Sequence, residues 1–207
     1  MLQVHSYNLG PLDNNTYIIV DDDTLQAAIV DPSFDSADLW PEIEQNGWKL
    51  TWVLNTHAHI DHVVENAFYV EKSGAPLALH PDDLPLLQAM PNQAAWMGMD
   101  CPRQIEPSYL LKDNEVITIG SGNLAIACTP GHSPGSVSLI AEGFAIVGDA
   151  LFAGSIGRTD LPGGNYAQLL EAIRTRLFVL PDETIVYPGH GTTTTIGQER
   201  RTNPFLT

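Results

Sequence analysis

The segment His57-Ala58-His59-Ile60-Asp61-His62 sets three imidazoles and a carboxylate within six positions. On an α-helix, at about 100° per residue, His57 and His59 would point to nearly opposite sides, and the cluster would be dispersed. A turn at the end of the apolar run Leu50–Leu54 instead lets the four side chains converge. Imidazole nitrogen and carboxylate oxygen are the donors that Zn²⁺, Fe²⁺ and Mn²⁺ prefer. The motif therefore reads as a metal centre rather than a solvated polar loop. Three further residues repeat its context. His132 follows the run Leu124–Cys128, Asp149 follows Phe144–Val147, and His190 follows Thr184–Tyr187. Each sits beside glycine at a strand end, where open folds place functional groups. The combined set of five histidines and two aspartates is enough for two ions with a shared carboxylate and room for water.

The elements that must position these residues alternate along the chain. Val4–Tyr7, Thr16–Val20 and Ala27–Val30 read as strands, with Asp21-Asp22-Asp23 as a turn. Ser36–Asn46 reads as a helix with Ser36 as its cap and Gly47 as its stop. Leu50–Leu54 and Pro76–Leu79 read as strands, and Val63–Ser73 and Pro81–Gln88 as helices. Met90–Glu106 reads as irregular, its Met90, Trp96, Met97 and Met99 covering the core or lining a groove. Glu115–Ile119, Leu124–Cys128, Ser136–Ala141 and Phe144–Val147 follow as strands. Tyr166–Leu177 reads as a helix, Thr184–Tyr187 as a strand, and Gln198–Arg201 as a short terminal helix. This order suggests two sheets with helices packed outside them, an α/β chain folded as one domain over 1–207.

Composition narrows the partners. Nine Lys and Arg against 25 Asp and Glu give a formal charge of −16. That balance argues against nucleic acid, whose phosphates need basic groups, and against an anionic membrane surface. No run of about 18 apolar residues exists, and the N-terminus lacks a basic region followed by an apolar stretch. The expectation is a cytoplasmic protein acting on a small molecule. Two cysteines, Cys101 and Cys128, are too few for a disulfide framework. No feature of the sequence speaks to oligomeric state.

Taken in order, His57-x-His59-x-Asp61-His62, Gly131-His132, Gly148-Asp149 and Gly189-His190-Gly191 resemble the metallo-β-lactamase superfamily over almost the whole chain. Within it, Phe152–Asp160 and the tail Thr195–Phe205 are most similar to short members of the glyoxalase II (hydroxyacylglutathione hydrolase) group. The resemblance implies a four-layer αββα sandwich. It implies that His57, His59 and His132 hold one divalent ion, and that Asp61, His62 and His190 hold a second. Asp149 then bridges them. Zinc is the first expectation, with iron or manganese as alternatives. The sequence departs from the group in carrying Val63-Val64-Glu65-Asn66 where a glycine pair is usual. It also ends at Thr207, without the basic C-terminal region that holds glutathione in larger members. Arg158, Arg200 and Arg201 are then the candidate anion contacts, and Tyr166 a candidate pocket residue.

The chemistry expected of such a site is hydrolysis of a thioester such as S-D-lactoylglutathione. A hydroxide shared by two ions is the nucleophile, and Asp61 and Asp149 orient it. The leaving thiolate is a weak base, so little acid assistance is needed. A mononuclear iron persulfide dioxygenase using His57, His132 and Asp149 is the alternative on the same scaffold, followed by a lactonase or other ester hydrolase. Gly131-His132-Ser133-Pro134-Gly135 also matches G-x-S-x-G, but a strand pattern follows it where a nucleophile elbow needs a helix.

Overall fold

The computed structural model describes residues 1–207. One sheet holds β1 (Leu2–Leu9), β2 (Asn14–Asp21), β3 (Gln26–Val30), β4 (Lys49–Leu54), β5 (Leu77–Leu79) and β6 (Tyr109–Leu110), in that spatial order. The second is built from β7 (Val116–Ile119), β8 (Gly122–Cys128), β9 (Val137–Ala141), β10 (Phe144–Gly148), β13 (Ile185–Pro188) and β14 (Thr194–Thr195), in the order β14-β13-β10-β9-β8-β7. A small hairpin, β11 (Leu151–Phe152) and β12 (Ser155–Ile156), lies between β10 and β13 in the chain.

Period-2 alternation explains the layering. On β2, Tyr17 and Ile19 enter the core between the sheets, where they meet Ile117, Leu124, Leu139 and Ile146 of the second sheet. Ile18 and Val20 face the other way, into a core with Leu39, Ile43 and Tyr69 from α1 (Trp40–Gln45), α3 (Asn66–Ser73) and the turn before α1. The outer face of the second sheet, through Ala145, Val147 and Val186, packs on Leu169, Ile173 and Ile196. Those residues belong to α6 (Tyr166–Ala172), the π-helical turn that extends it, and α7 (Ile196–Thr202). The result is the αββα sandwich expected. No helix is long and apolar enough to cross a membrane.

Four local expectations need correction. Ser36 does not cap a helix. It lies inside a 3-10 turn, Ser36–Leu39, its hydroxyl without a partner, while its carbonyl accepts the Tyr69 hydroxyl. The helix expected over Val63–Ser73 is broken, with one turn in α2 (Ile60–Val63) and a restart at Asn66. Glu65, at the break, accepts the Ala37 amide at 2.9 Å, and this bond anchors the interruption. Pro81–Gln88 begins as a 3-10 turn, Pro81–Asp83, before α4 (Leu84–Gln88). Met90–Glu106 contains a helix, α5 (Met90–Met97), ended by Gly98 at φ 67°. Met90 and Ala94, with Met97 and Met99 at the margin, pack on Ala58, Ile60 and Val63, so this segment covers the core beneath the histidine motif. Both cysteines are free.

Candidate metal centre

β4 ends at Leu54, and the chain passes through Asn55-Thr56 into the motif. His57 and His59 lie on this extended turn, and Asp61 and His62 on the single turn of α2. Asn55 seats that turn. Its amide donates to the His62 carbonyl at 3.2 Å, and it exchanges hydrogen bonds with the buried Asn66 side chain. His132 follows β8, Asp149 follows β10 and His190 follows β13, so three strand ends of the second sheet face one strand end of the first.

The geometry brings all seven residues together. Ligand atoms of His57, His59 and His132 lie within 4.8 Å of one another, as do those of Asp61, His62 and His190. Asp149 stands between the groups. Its Oδ1 is 3.6 Å from His62 Nε2, and its Oδ2 is 3.5 Å from His132 Nε2 and 3.7 Å from His190 Nε2. Asp61 Oδ2 is 3.6 Å from His62 Nε2 and 3.4 Å from His190 Nε2.

Bonds behind the rings decide which nitrogen faces inward. His132 Nδ1 donates to the Arg158 carbonyl at 2.8 Å, and His190 Nδ1 to the Leu12 carbonyl at 3.1 Å. His62 Nδ1 donates to Asp31 at 3.0 Å. His57 Nδ1 donates to the Thr56 hydroxyl at 3.0 Å, which itself donates to Asp31 at 2.6 Å. These four imidazoles therefore present Nε2 to the centre. His59 presents Nδ1, 2.8 Å from His132 Nε2. Partners of this kind fix tautomer and orientation in metal sites.

The donor set fits divalent ions. His57 Nε2, Asp149 Oδ1 and Asn14 Oδ1 are buried without hydrogen-bond partners, and buried polar atoms are seldom left so. Burial, reinforced by the neighbouring imidazoles, pushes His57 far below the ordinary histidine value. The same causes, burial first and His132 next, bring His59 down to about 4. Burial thus favours the uncharged form of both rings, the form in which an imidazole can ligate a metal. Burial also opposes charge on His62, but Asp61, Asp149 and Asp31 outweigh it and push its value up to about 10. Burial likewise works against the Asp61 carboxylate, yet His62, His190 and Asn14 hold its carboxyl well below the usual range. A proton on His62 occupies the electrostatic place that a cation would fill.

Several residues of the site were not foreseen. Asp31 accepts the Thr56 amide at 2.7 Å as well as the Thr56 hydroxyl and His62, so both its oxygens are taken and it acts as an orienting group. It follows the apolar strand β3 as Asp149 follows β10, and that shared context was the available signal. Asn14 donates to Asp61 Oδ2 at 2.9 Å, with His62 Nε2 and His190 Nε2 each 3.4 Å away. Ser133 is buried and bonded to Asp83 and Ser136, and the chain continues into β9, so it forms no nucleophile elbow.

Arg158 and Tyr166 line a cleft of about 340 Å³ with Ile156, Thr159 and Phe205. The wall of that cleft carries the carbonyl that orients His132. Arg158 is held by Asp160 through two bonds of 2.7 Å. Arg200 and Arg201 are both tied to Asp182, and Arg200 also donates to the Phe178 and Leu180 carbonyls. Those two arginines secure the start of the final strand-helix unit rather than facing the site.

Comparison with known proteins places the chain in a family. The family model of the metallo-beta-lactamase superfamily matches residues 9–190. Hydroxyacylglutathione hydrolase GloC of Haemophilus influenzae is 38% identical over 193 residues, covering 89% of each chain. Among solved structures, BLEG-1 B3 metallo-beta-lactamase superposes with a TM-score of 0.92 at 37% identity, covering 99% of this chain and 100% of that one. TTHA1623 in a di-iron-bound form gives 0.89 at 37% identity, covering 98% and 100%. ETHE1 from Myxococcus xanthus gives 0.83 at 28% identity, covering 98% and 83%. With a family model matching residues 9–190 and a relative 38% identical over 89% of its length, the chain belongs to the metallo-beta-lactamase superfamily.

Proposed function

We propose that this chain is a dinuclear metal-dependent hydrolase that cleaves a thioester such as S-D-lactoylglutathione, releasing D-lactate and glutathione. The observation that carries the reading is the convergence of two three-ligand groups on Asp149. The likeness to GloC supports a hydroxyacylglutathione as the substrate class. Bound divalent ions, zinc first with iron or manganese as alternatives, would activate water near neutral pH and polarise the scissile carbonyl.

The chain's own groups account for the rest. His57, His62, His132 and His190 are held with Nε2 inward, so the site needs little reorganisation. Asp149 Oδ1, buried without a partner, and Asp61 Oδ2 are acceptors that orient the attacking water. Arg158 meets a substrate carboxylate at the cleft by exchanging Asp160 for it, and Tyr166 and Phe205 supply apolar walls. The departing thiolate, from a thiol of pKa near 8.5, needs no dedicated acid.

The test is a comparison of kcat/KM for S-D-lactoylglutathione, a lactone and a β-lactam, with oxygen uptake on glutathione persulfide measured in parallel. Preferential thioester cleavage is expected, lost in a folded Asp149→Ala protein. Oxygen uptake exceeding thioester turnover assigns the chain to the dioxygenase chemistry instead and overturns the proposal.

A further inference from the structure

Two separated stretches of chain meet at a buried carboxylate outside the metal-ligand set. Asp83, on the 3-10 turn after β5, is fully buried. Its Oδ2 accepts the Ala58 amide at 2.9 Å and the Ser133 hydroxyl at 2.8 Å, while Oδ1 accepts the Gly135 amide at 2.6 Å. Ala58 stands between His57 and His59, and Ser133 directly follows His132. One side chain therefore ties together both stretches that carry the His57, His59 and His132 group. Those stretches leave different sheets, one after β4 and the other after β8. One backbone bond also joins the two stretches, the Val137 amide donating to the Thr56 carbonyl at 2.8 Å, but Asp83 bonds within the ligand-bearing turns themselves, where His59 Nδ1 lies 2.8 Å from His132 Nε2.

We propose that Asp83 is a positioning residue for the His57/His59/His132 metal group, holding the two ligand-bearing loops at the separation one ion requires. The inference rests on the two-ion reading above. All three of its partners donate, so the site needs a group that only accepts. An asparagine can aim one oxygen at these donors but must turn an NH2 toward at least one N–H or O–H. Gly135 belongs to the same device, because a Cβ there would lie 2.6 Å from the Asp83 amide nitrogen and 2.8 Å from its side chain. Ser133 is the partner that can be removed most gently, since its oxygen also lies 2.7 Å from the Ser136 hydroxyl.

None of the bonds that orient the Asp61/His62/His190 group, from Asp31, Asn14 and the Leu12 carbonyl, involves Asp83. Loss of Asp83 should therefore weaken one ion selectively, a result that a merely structural role would not produce. The test is a chelator-competition titration of metal-free wild type, Asp83→Asn and Ser133→Ala with Zn²⁺. His59→Ala and His190→Ala assign the two binding steps. Asp83→Asn is expected to weaken the His59-dependent step by about 10- to 100-fold and leave the His190-dependent step within about threefold, with Ser133→Ala showing a smaller loss in the same step. Unchanged steps in both variants, or equal weakening of the two steps, would overturn the inference. If Asp83→Asn fails to fold, Ser133→Ala decides alone. A wild-type chain without a His59-dependent step overturns the two-ion reading and this inference with it.

Discussion

His62 Nδ1 donates to Asp31 Oδ2 at 3.0 Å, with both side chains almost wholly buried. The bond turns His62 Nε2 toward Asp61 and Asp149. Asp31 holds this place from a left-handed backbone, φ 51°, that costs an aspartate some strain. Three bonds compensate: its amide donates to the Leu54 carbonyl, its carbonyl accepts the Thr16 hydroxyl, and its carboxylate accepts the Thr56 amide. Asp31→Ala frees the ring. Metal affinity at the Asp61/His62/His190 group is expected to fall by about 10- to 100-fold, with a smaller loss where His57 depends on Asp31 through Thr56, read by chelator competition. Unchanged affinity would show that packing alone orients His62.

Gly189 sits against the Asp149 carboxylate. A Cβ there would lie 2.1 Å from Asp149 Oδ1 and 2.8 Å from His62 Cε1, and neither group can retreat without leaving the site. Gly189→Ala is expected to reduce bound metal below two ions per chain and to cut thioester hydrolysis at least about 100-fold, the scale seen when reacting groups are misplaced by about 1 Å. Metal analysis of the purified variant checks it, and full occupancy with normal turnover would refute it.

The site was legible where residue spacing itself constrained geometry. His57, His59, Asp61 and His62 lie too close in sequence for a helix to gather them, and His132, Asp149 and His190 share a strand-end context. The two sheets were legible because alternating apolar positions on β2 must face two cores. Asp31 shares the strand-end context of Asp149 but stands apart from any histidine in sequence, and Asp83, one of 25 acidic residues, has no motif around it, its partners lying far away in sequence. Helix α5 was missed although Met90, Ala94 and Met97 stand at helical spacing, because Pro91 and the mixed residue types obscured the pattern. Ser36 has the composition of a cap, but Asp35 in the left-handed region turns the chain into a 3-10 turn first.

Asp21 joins the sheets at the far end of β2. It accepts the Ser121 amide at 2.8 Å, the Ser121 hydroxyl at 3.0 Å and the Thr24 hydroxyl at 2.8 Å. These bonds, the Ser121 amide foremost, hold its carboxyl well below the usual range. A depressed carboxyl stabilises the fold above its unfolded value, near 4, and that stabilisation is lost as pH falls through this value toward the folded one. Denaturant midpoints measured from about pH 6 to about pH 3 should fall less steeply in Asp21→Asn than in wild type. Parallel curves would remove Asp21 from the acid response.

Arg158 is exposed and paired only with Asp160, so its removal should leave thermal stability nearly unchanged. If it receives a substrate carboxylate, Arg158→Gln should raise KM for S-D-lactoylglutathione about tenfold or more while kcat changes little. An unaltered KM would place the carboxylate elsewhere.

The proposed hydrolase activity depends on two ions gathered around Asp149. Its most direct test is thioester turnover measured while metal is restored to the metal-free protein in counted equivalents. S-D-lactoylglutathione hydrolysis is expected to reach its plateau only when two ions are bound per chain. Full turnover with one ion bound, or no thioester cleavage with both in place, would contradict it.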